Sequence, residues 1–247
     1  MLIRFIIYCL LLSSRRLGIE ASLGGAYAKV TSSFPSGMNN CLLQTISVRF
    51  AHDKDVRCAT LCLRNANCRL FCIKGDDCSL FKTFVTAEYN GTAQDSFGFT
   101  SCYTSWFFSK NLAPRAVVTM SSIYSVNQAE YQAINGYFCY AYDSCSITLV
   151  RDYPWWKADL QKTYFVSALV VKPRDDNLDF NTVEIRFGNS PTISQNPIFA
   201  THAPTTPPAG TVLTFKSPNP MEGRYLSFQT FSTTNAVSIC EVQIIEA

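Results

Sequence analysis

Cysteine is the residue type best placed to do chemistry in this sequence: eleven occur in 247 residues, and five fall in one run. That run reads Cys58-x3-Cys62-x5-Cys68-x3-Cys72-x5-Cys78. Thiols so spaced either bind zinc or oxidise in pairs. The Cys-x2-Cys knuckles of zinc sites are missing, and an export-type leader (below) favours disulfides. His52 and His202 are the only histidines and sit in no supporting motif. A nucleophile needs a base and an orienting group, so no enzyme is expected. A third group is the charged loop Lys172-Pro173-Arg174-Asp175-Asp176-Asn177-Leu178-Asp179. It follows an apolar strand, and composition by itself makes it a solubilising loop. Trp155 and Trp156 are adjacent. Neighbouring strand residues face opposite sides, so one ring is expected in the core and the other partly exposed.

The elements that carry these residues begin with a leader. Met1 to Leu12 is apolar apart from Arg4, too short to cross a bilayer but the size of a signal-peptide core. Residues 1–21 are read as signal peptide, with cleavage after Ala21 or, at the Ala26-x-Ala28 pattern, after Ala28. Cys9 would leave with it, and an even number of cysteines would remain. Asn90-Gly91-Thr92 is a glycosylation sequon that an exported chain could use at Asn90. The formal charge is +3, and the leader's Arg4, Arg15 and Arg16 outweigh Glu20 there. A near-neutral mature chain has no electrostatic reason to seek nucleic acid or acidic membranes.

Cysteine density divides the rest. Seven cysteines lie between Cys41 and Cys102, but three between Asn111 and Ala247. We read residues 22–36 as a linker, 37–104 as a small stapled α+β domain, 105–110 as a short connection and 111–247 as a larger domain relying on its core. In the first, Cys58, Leu61, Cys62 and Asn65 recur with helical spacing, so a helix is expected over Val56–Ala66. Its two cysteines face one neighbouring layer, a sheet of Leu70–Ile73 and Ser79–Phe84. In the second, alternating runs at 165–171, 182–187, 211–215, 223–228 and 237–245 read as strands between Pro/Asn turns. Many short strands make an antiparallel β-sandwich or jelly roll, and the chain as a whole is mainly β.

Two resemblances extend this reading. Residues Arg57-Cys58-Ala59-Thr60-Leu61-Cys62, Asn67-Cys68-Arg69-Leu70-Phe71 and Asp77-Cys78-Ser79-Leu80-Phe81 resemble the PAN/apple domain. The resemblance implies bridges Cys58–Cys78 and Cys62–Cys68, with Cys41–Cys102 tying the domain ends. It leaves Cys72 unexplained and implies an interaction role.

The second half carries Ser121-Ser122-Ile123-Tyr124-Ser125, Ala133-Ile134-Asn135-Gly136, Asp143-Ser144-Cys145 and Pro154-Trp155-Trp156-Lys157-Ala158-Asp159-Leu160. Val183-Glu184-Ile185-Arg186-Phe187-Gly188, Met221-Glu222-Gly223-Arg224-Tyr225 and Cys240-Glu241-Val242 follow in order. This series resembles the fucolectin branch of discoidin-like (F5/8 type C) jelly rolls. The resemblance implies a Cys145–Cys240 bridge, with Cys139 and Cys72 left to pair with each other, stay free or link to another chain. It also implies a sugar site of one His and two Arg. Here the His position falls on Ile147, the second Arg on Asp179, and the first on Lys172 or Arg174. Each lost hydrogen bond to a charged group costs about 1.5–3 kcal/mol. Millimolar affinity is only about −4 kcal/mol, so fucose specificity is not expected to carry over.

The family's calcium ligands fall on Gln132, Asn135, Tyr137, Ser144, Cys240 and Glu241. Most would act through backbone carbonyls, and Glu241 is the formal anion, so weak calcium binding is expected. The implied function is a secreted, lectin-like protein binding glycans or glycoproteins, with calcium as its cofactor. The alternative is an extracellular protein-interaction or adhesion module without sugar binding. Oligomers are compatible with either; membrane insertion is not expected. With Ile147 on the pocket floor and Asp175, Asp176 and Asp179 near its rim, the expected ligand is neutral or cationic, with L-fucose no better than other neutral sugars.

Overall fold

The computed structural model describes residues 27–30, 34, 36–87, 89, 101–106, 110–139, 145–175, 180–202, 205–231 and 235–247. The chain divides into two units, Met1–Phe107 and Phe108–Ala247. The expected leader, the sequon at Asn90, Ser144, Asp176 and Asp179 lie outside the described residues.

In the first unit, strands β1 (Ala28–Val30), β2 (Leu42–Ser47), β3 (Leu70–Lys74), β4 (Asp77–Phe81) and β6 (Ser101–Thr104) form one antiparallel sheet in the order β1-β6-β3-β4-β2. A short β5 (Phe84–Val85) is anchored where Thr104 Oγ1 donates to the Val85 carbonyl. The helix α1 runs over Lys54–Leu63, slightly earlier than its periodicity suggests. The Asp53 side chain accepts from Val56 N and caps the start. At the other end, the Cys62–Cys68 bridge draws the chain back within six residues and ends the helix. Cys58, Ala59 and Cys62 form its buried face, and Cys58 is bonded to Cys78 on β4.

Two expectations change here. Cys102 is bonded to Cys72, not to Cys41. The two residues are register partners on β3 and β6, with Cα atoms 4.1 Å apart, so sheet pairing sets the bond. Cys72 is therefore not paired with Cys139, and neither is free: Cys41 and Cys139 are disulfide-bonded as well. The 22–36 linker also gives way to structure, since Ala28 pairs with Thr104 and Tyr27 is buried against Phe71 with ring centroids 5.1 Å apart. Trp106, placed in the 105–110 connection, is likewise buried on Phe84.

The second unit contains β7 (Val117–Met120), β8 (Tyr137–Phe138), β9 (Ser146–Ile147), β10 (Trp155–Pro173), β11 (Val183–Gly188), β12 (Ile198–His202), β13 (Leu213–Thr230) and β14 (Ser238–Glu246). Their order is β12-β11-β13-β10-β14-β9, with β7 on the first part of β10. The strands β10 and β13 are far longer than their alternation suggests. They form one antiparallel ribbon, Trp155 opposite Gln229 at one limit and Val171 opposite Leu213 at the other. Register shifts between Asp159 and Tyr164 and between Val166 and Ala168 bend it. The ribbon doubles over: Phe180, just beyond β10, packs 6.3 Å from Phe228, which pairs with Trp156 near the strand's start.

Both limits of the ribbon therefore meet at one end of the sandwich. Ile147, residues 148–154 and the described residues Arg174, Asp175, Phe180, Asn181, Phe231 and 235–237 gather there. The bends and Gly223 occupy the opposite end. Between them lies a core of Trp156, Leu160, Val171, Phe187, Leu226, Phe228, Ile239 and other buried apolar residues. At the Gly223 end the backbones touch: a Cβ on Gly223 would stand 2.8 Å from the Gly188 backbone. Trp156 is in the core and Trp155 half-exposed, as alternation requires.

Candidate functional site

The loop end holds most of the residues that could bind a ligand, and burial decides which of them do. Ile147 sits on β9 opposite Ser238, almost fully buried. It places an apolar side chain there, with no donor for a hydroxyl. Lys172 lies near the end of β10, opposite Glu241 on β14. It is the chief correction to the expected site. The residue is fully buried. Its ammonium donates to the Pro173 carbonyl at 2.7 Å and to the Asp175 carboxylate, and lies 4.7 Å from the centroid of the Phe138 ring. Burial pulls the Lys172 pKa below the usual lysine value, and Asp175 partly restores it. A lysine so enclosed braces the loop and does not offer its charge to a sugar.

Asp175 is turned inward for the same reason. Its Oδ1 also accepts from Gly210 N at 2.6 Å. One carboxylate thereby ties the 172–175 segment to the 205–211 loop, and the expected acceptor at the rim is spent internally. Arg174 is half-buried on that loop.

Of the residues matched to calcium ligands, Gln132, Asn135, Tyr137, Cys240 and Glu241 are described and lie close together. A 3₁₀ helix, Glu130–Ile134, ends at Asn135, and Gly136 turns the chain with φ +78°, a conformation that favours glycine. Asn135 Oδ1 accepts from Tyr137 N at 2.8 Å and its amide donates to Gln132 Oε1. Across from it, Glu241 is buried and its Oε2 accepts from Gly136 N at 3.1 Å. Cys240, next to it, is bonded to Cys145. One carboxylate, one amide oxygen and the backbone of this turn form a set of hard oxygen donors, the chemistry that calcium takes. Among the described residues no three His, Cys, Asp or Glu converge to hold a metal.

Trp156 and Ser146 fix this turn, a role that the sequence patterns did not suggest for either. Trp156 Nε1 donates to the Glu130 carbonyl at 2.9 Å. The buried Ser146 hydroxyl lies 2.8 Å from both the Ala129 and Glu130 carbonyls, and accepts from Ala133 N at 3.0 Å. Both links join residues distant in sequence, so spacing carries no trace of them. On the outer face of β10 and β13, Arg224 grips Asp159 through two hydrogen bonds, 2.6 and 2.8 Å long. The Arg224 hydrogen bond holds the Asp159 carboxyl below its ordinary pKa. Arg224 also covers Tyr225, 5.0 Å from the ring centroid.

A family model for a NedA-like, galactose-binding domain of the F5/8 type C kind matches residues 132–228. Fucolectin-1 of Anguilla japonica is 29% identical over 109 residues, 42% of this chain and 60% of its own length. The pentraxin fusion protein of Xenopus laevis is 26% identical over 145 residues, 55% of this chain and 33% of its own. The crystal structure of a fucolectin from Morone saxatilis serum superposes with a TM-score of 0.50 and 31% identity, covering 55% of this chain and 48% of that one. The chain thus spans 60% or less of the length of these relatives. The second unit is similar to discoidin-like, F5/8 type C domains and has homology to fucolectins. No helix among the described residues is long and apolar enough to cross a membrane.

Proposed function

We propose that this is a secreted, lectin-like carbohydrate-binding protein that takes neutral glycans at the loop end of its second unit. The observation that carries the reading is the match of residues 132–228 to a galactose-binding domain, on a fold whose loops gather at Ile147 and Lys172. Fucose is not the preferred sugar: Ile147 has no polar group, and the Lys172 ammonium is committed to Pro173 and Asp175. Arg174, half-buried, is the other cation on the described part of that loop. Calcium, if bound, is held by Glu241, Asn135 and the carbonyls of Gln132, Tyr137 and Cys240. It would stiffen the turn that Trp156 and Ser146 already anchor. The first unit is a PAN/apple-like interaction module, supported by a helix stapled to its sheet through Cys58–Cys78.

The second reading, an adhesion or protein-interaction module without sugar binding, is favoured by the same inward turn of Lys172 and Asp175. A glycan array probed with the full-length secreted chain, with and without calcium, separates the two. Binding to neutral glycans, with L-fucose no stronger than galactose, supports the lectin reading. Tight fucose binding lost in Arg174→Ala overturns the specificity argument, and an array with no bound glycan leaves the interaction module standing.

A further inference from the structure

One corner of the loop end is built from aromatic rings and lies outside the site just described. Tyr153 and Phe231 are 51% and 48% exposed, and their ring centroids are 6.1 Å apart in a T-shaped arrangement. Tyr153 has φ +53°. A bulky residue in the left-handed region is strained. The surroundings hold it there: Gln229 Nε2 donates to the Tyr153 carbonyl at 3.0 Å, and Thr230 N to the next carbonyl, that of Pro154. Glycine would adopt this turn freely. The fold instead keeps a large ring half in water. Burial does not compensate for the strain, because half of each ring remains exposed.

The flanking residues narrow what such a corner would take. Arg151 and Asp152 are exposed beside Tyr153, one donor-rich and one acceptor-rich, with no net charge between them. A flat apolar surface edged by donors and acceptors matches a ring with apolar C–H faces and hydroxyls around its edge. We propose that Tyr153 and Phe231 form a stacking platform for a neutral pyranose unit of a glycan. This inference rests on the lectin reading above and adds to it a subsite built on residues other than Ile147 and Lys172.

The test uses the full-length chain and its Tyr153→Gly, Tyr153→Trp and Phe231→Ala variants, titrated with methyl β-galactopyranoside and with a neutral galactose-terminated oligosaccharide. Glycine suits φ +53°, so Tyr153→Gly removes the ring and relieves the strain at once. The expected result is at least a tenfold loss of oligosaccharide affinity in Tyr153→Gly and Phe231→Ala. The Tyr153→Gly melting temperature should be unchanged or raised, and Tyr153→Trp should retain binding. Unchanged affinity in Tyr153→Gly, with the wild type binding, overturns the platform and leaves the lectin reading intact. A clear drop in melting temperature in Tyr153→Gly without loss of binding makes the ring structural and overturns it too. A wild-type chain that binds neither sugar, nor any glycan on the array, overturns both.

Discussion

The two units solve the same problem, burying enough surface to hold a fold, by different means. In the first, Cys58, Cys62, Cys68 and Cys78 are themselves part of the core cluster, beside Phe71, Leu80 and Tyr27. Its helix, β3, β4 and β6 are joined covalently where they pack. In the second, the core is twenty apolar side chains from Leu112 to Ile244 without a cysteine among them, and Cys145–Cys240 sits at the loop end beside it. A small sheet under one short helix has little apolar area to bury, so crosslinks that restrict the unfolded chain do part of the work. A long doubled ribbon has area enough to need them less. The loops of the second unit are thus presented by a packed core.

Reduction should produce the largest contrast. Losing a native bridge costs about 2–5 kcal/mol in a small domain, and the first unit has several. In dithiothreitol, amides of Leu70–Lys74, Asp77–Phe81 and Lys54–Leu63 should lose their protection from hydrogen exchange first, while those of β10 and β13 stay protected. Simultaneous loss in both units would break the comparison.

Trp156→Ala attacks the other side. Removing a fully buried indole costs about 3–5 kcal/mol, and here it also removes the indole's hydrogen bond to the Glu130 carbonyl. Urea denaturation should show that loss in the second unit's transition only. Gly223→Ala should have a smaller effect of the same kind. Its new methyl would meet the Gly188 backbone at 2.8 Å, and overpacking typically costs about 1–3 kcal/mol. A melting temperature equal to wild type would mean that the two backbones separate without penalty.

Acid gives the smallest and most local difference. Asp159 in the second unit and Asp76 in the first both have lowered pKa values, each mainly through a hydrogen bond to its cation, Arg224 and Lys54 respectively. A carboxylate whose folded pKa is depressed contributes stability above its unfolded value, about 3.9. That contribution is lost as the pH falls below this value towards the folded pKa. The side chain of Asp76 is 46% exposed and that of Asp159 21%, so salt should erase the Asp76 contribution first. Comparing Asp76→Asn and Asp159→Asn in acid titrations at low and high salt reads this directly; equal salt sensitivity would remove the distinction.

Much of this division was legible in the residues. Cysteine density separates a stapled half from a core-driven one, because crosslinks and apolar area substitute for one another. The spacing of Cys58, Leu61 and Cys62 marks a helix. The alternation of Val183–Phe187 marks a strand buried on one face. Less legible were the lengths of β10 and β13, since the bends at Asp159–Tyr164 and Val166–Ala168 break the alternation just where the strands continue. The candidate site was legible in part: the positions of Ile147, Asn135 and Glu241 could be assigned, whereas the anchoring by Trp156 and Ser146 could not.

By itself, the sequence determined what each residue could do: which strands alternate, which cysteines were available, and that Ile147 could not donate a hydrogen bond. Only the tertiary structure decided who meets whom. Cys102 bonds to Cys72 because β3 and β6 bring them into register. Tyr27 leaves its expected linker because Phe71 and the edge of β6 offer it a place. Lys172, charged and so expected at the surface, faces inward because Asp175 and the Pro173 carbonyl satisfy its ammonium there. Periodicity is a property of neighbours along the chain, whereas pairing and burial depend on segments that the chain brings together from far apart. In this protein the inward turn of Lys172 and Asp175 at the loop end rests on the second kind of information.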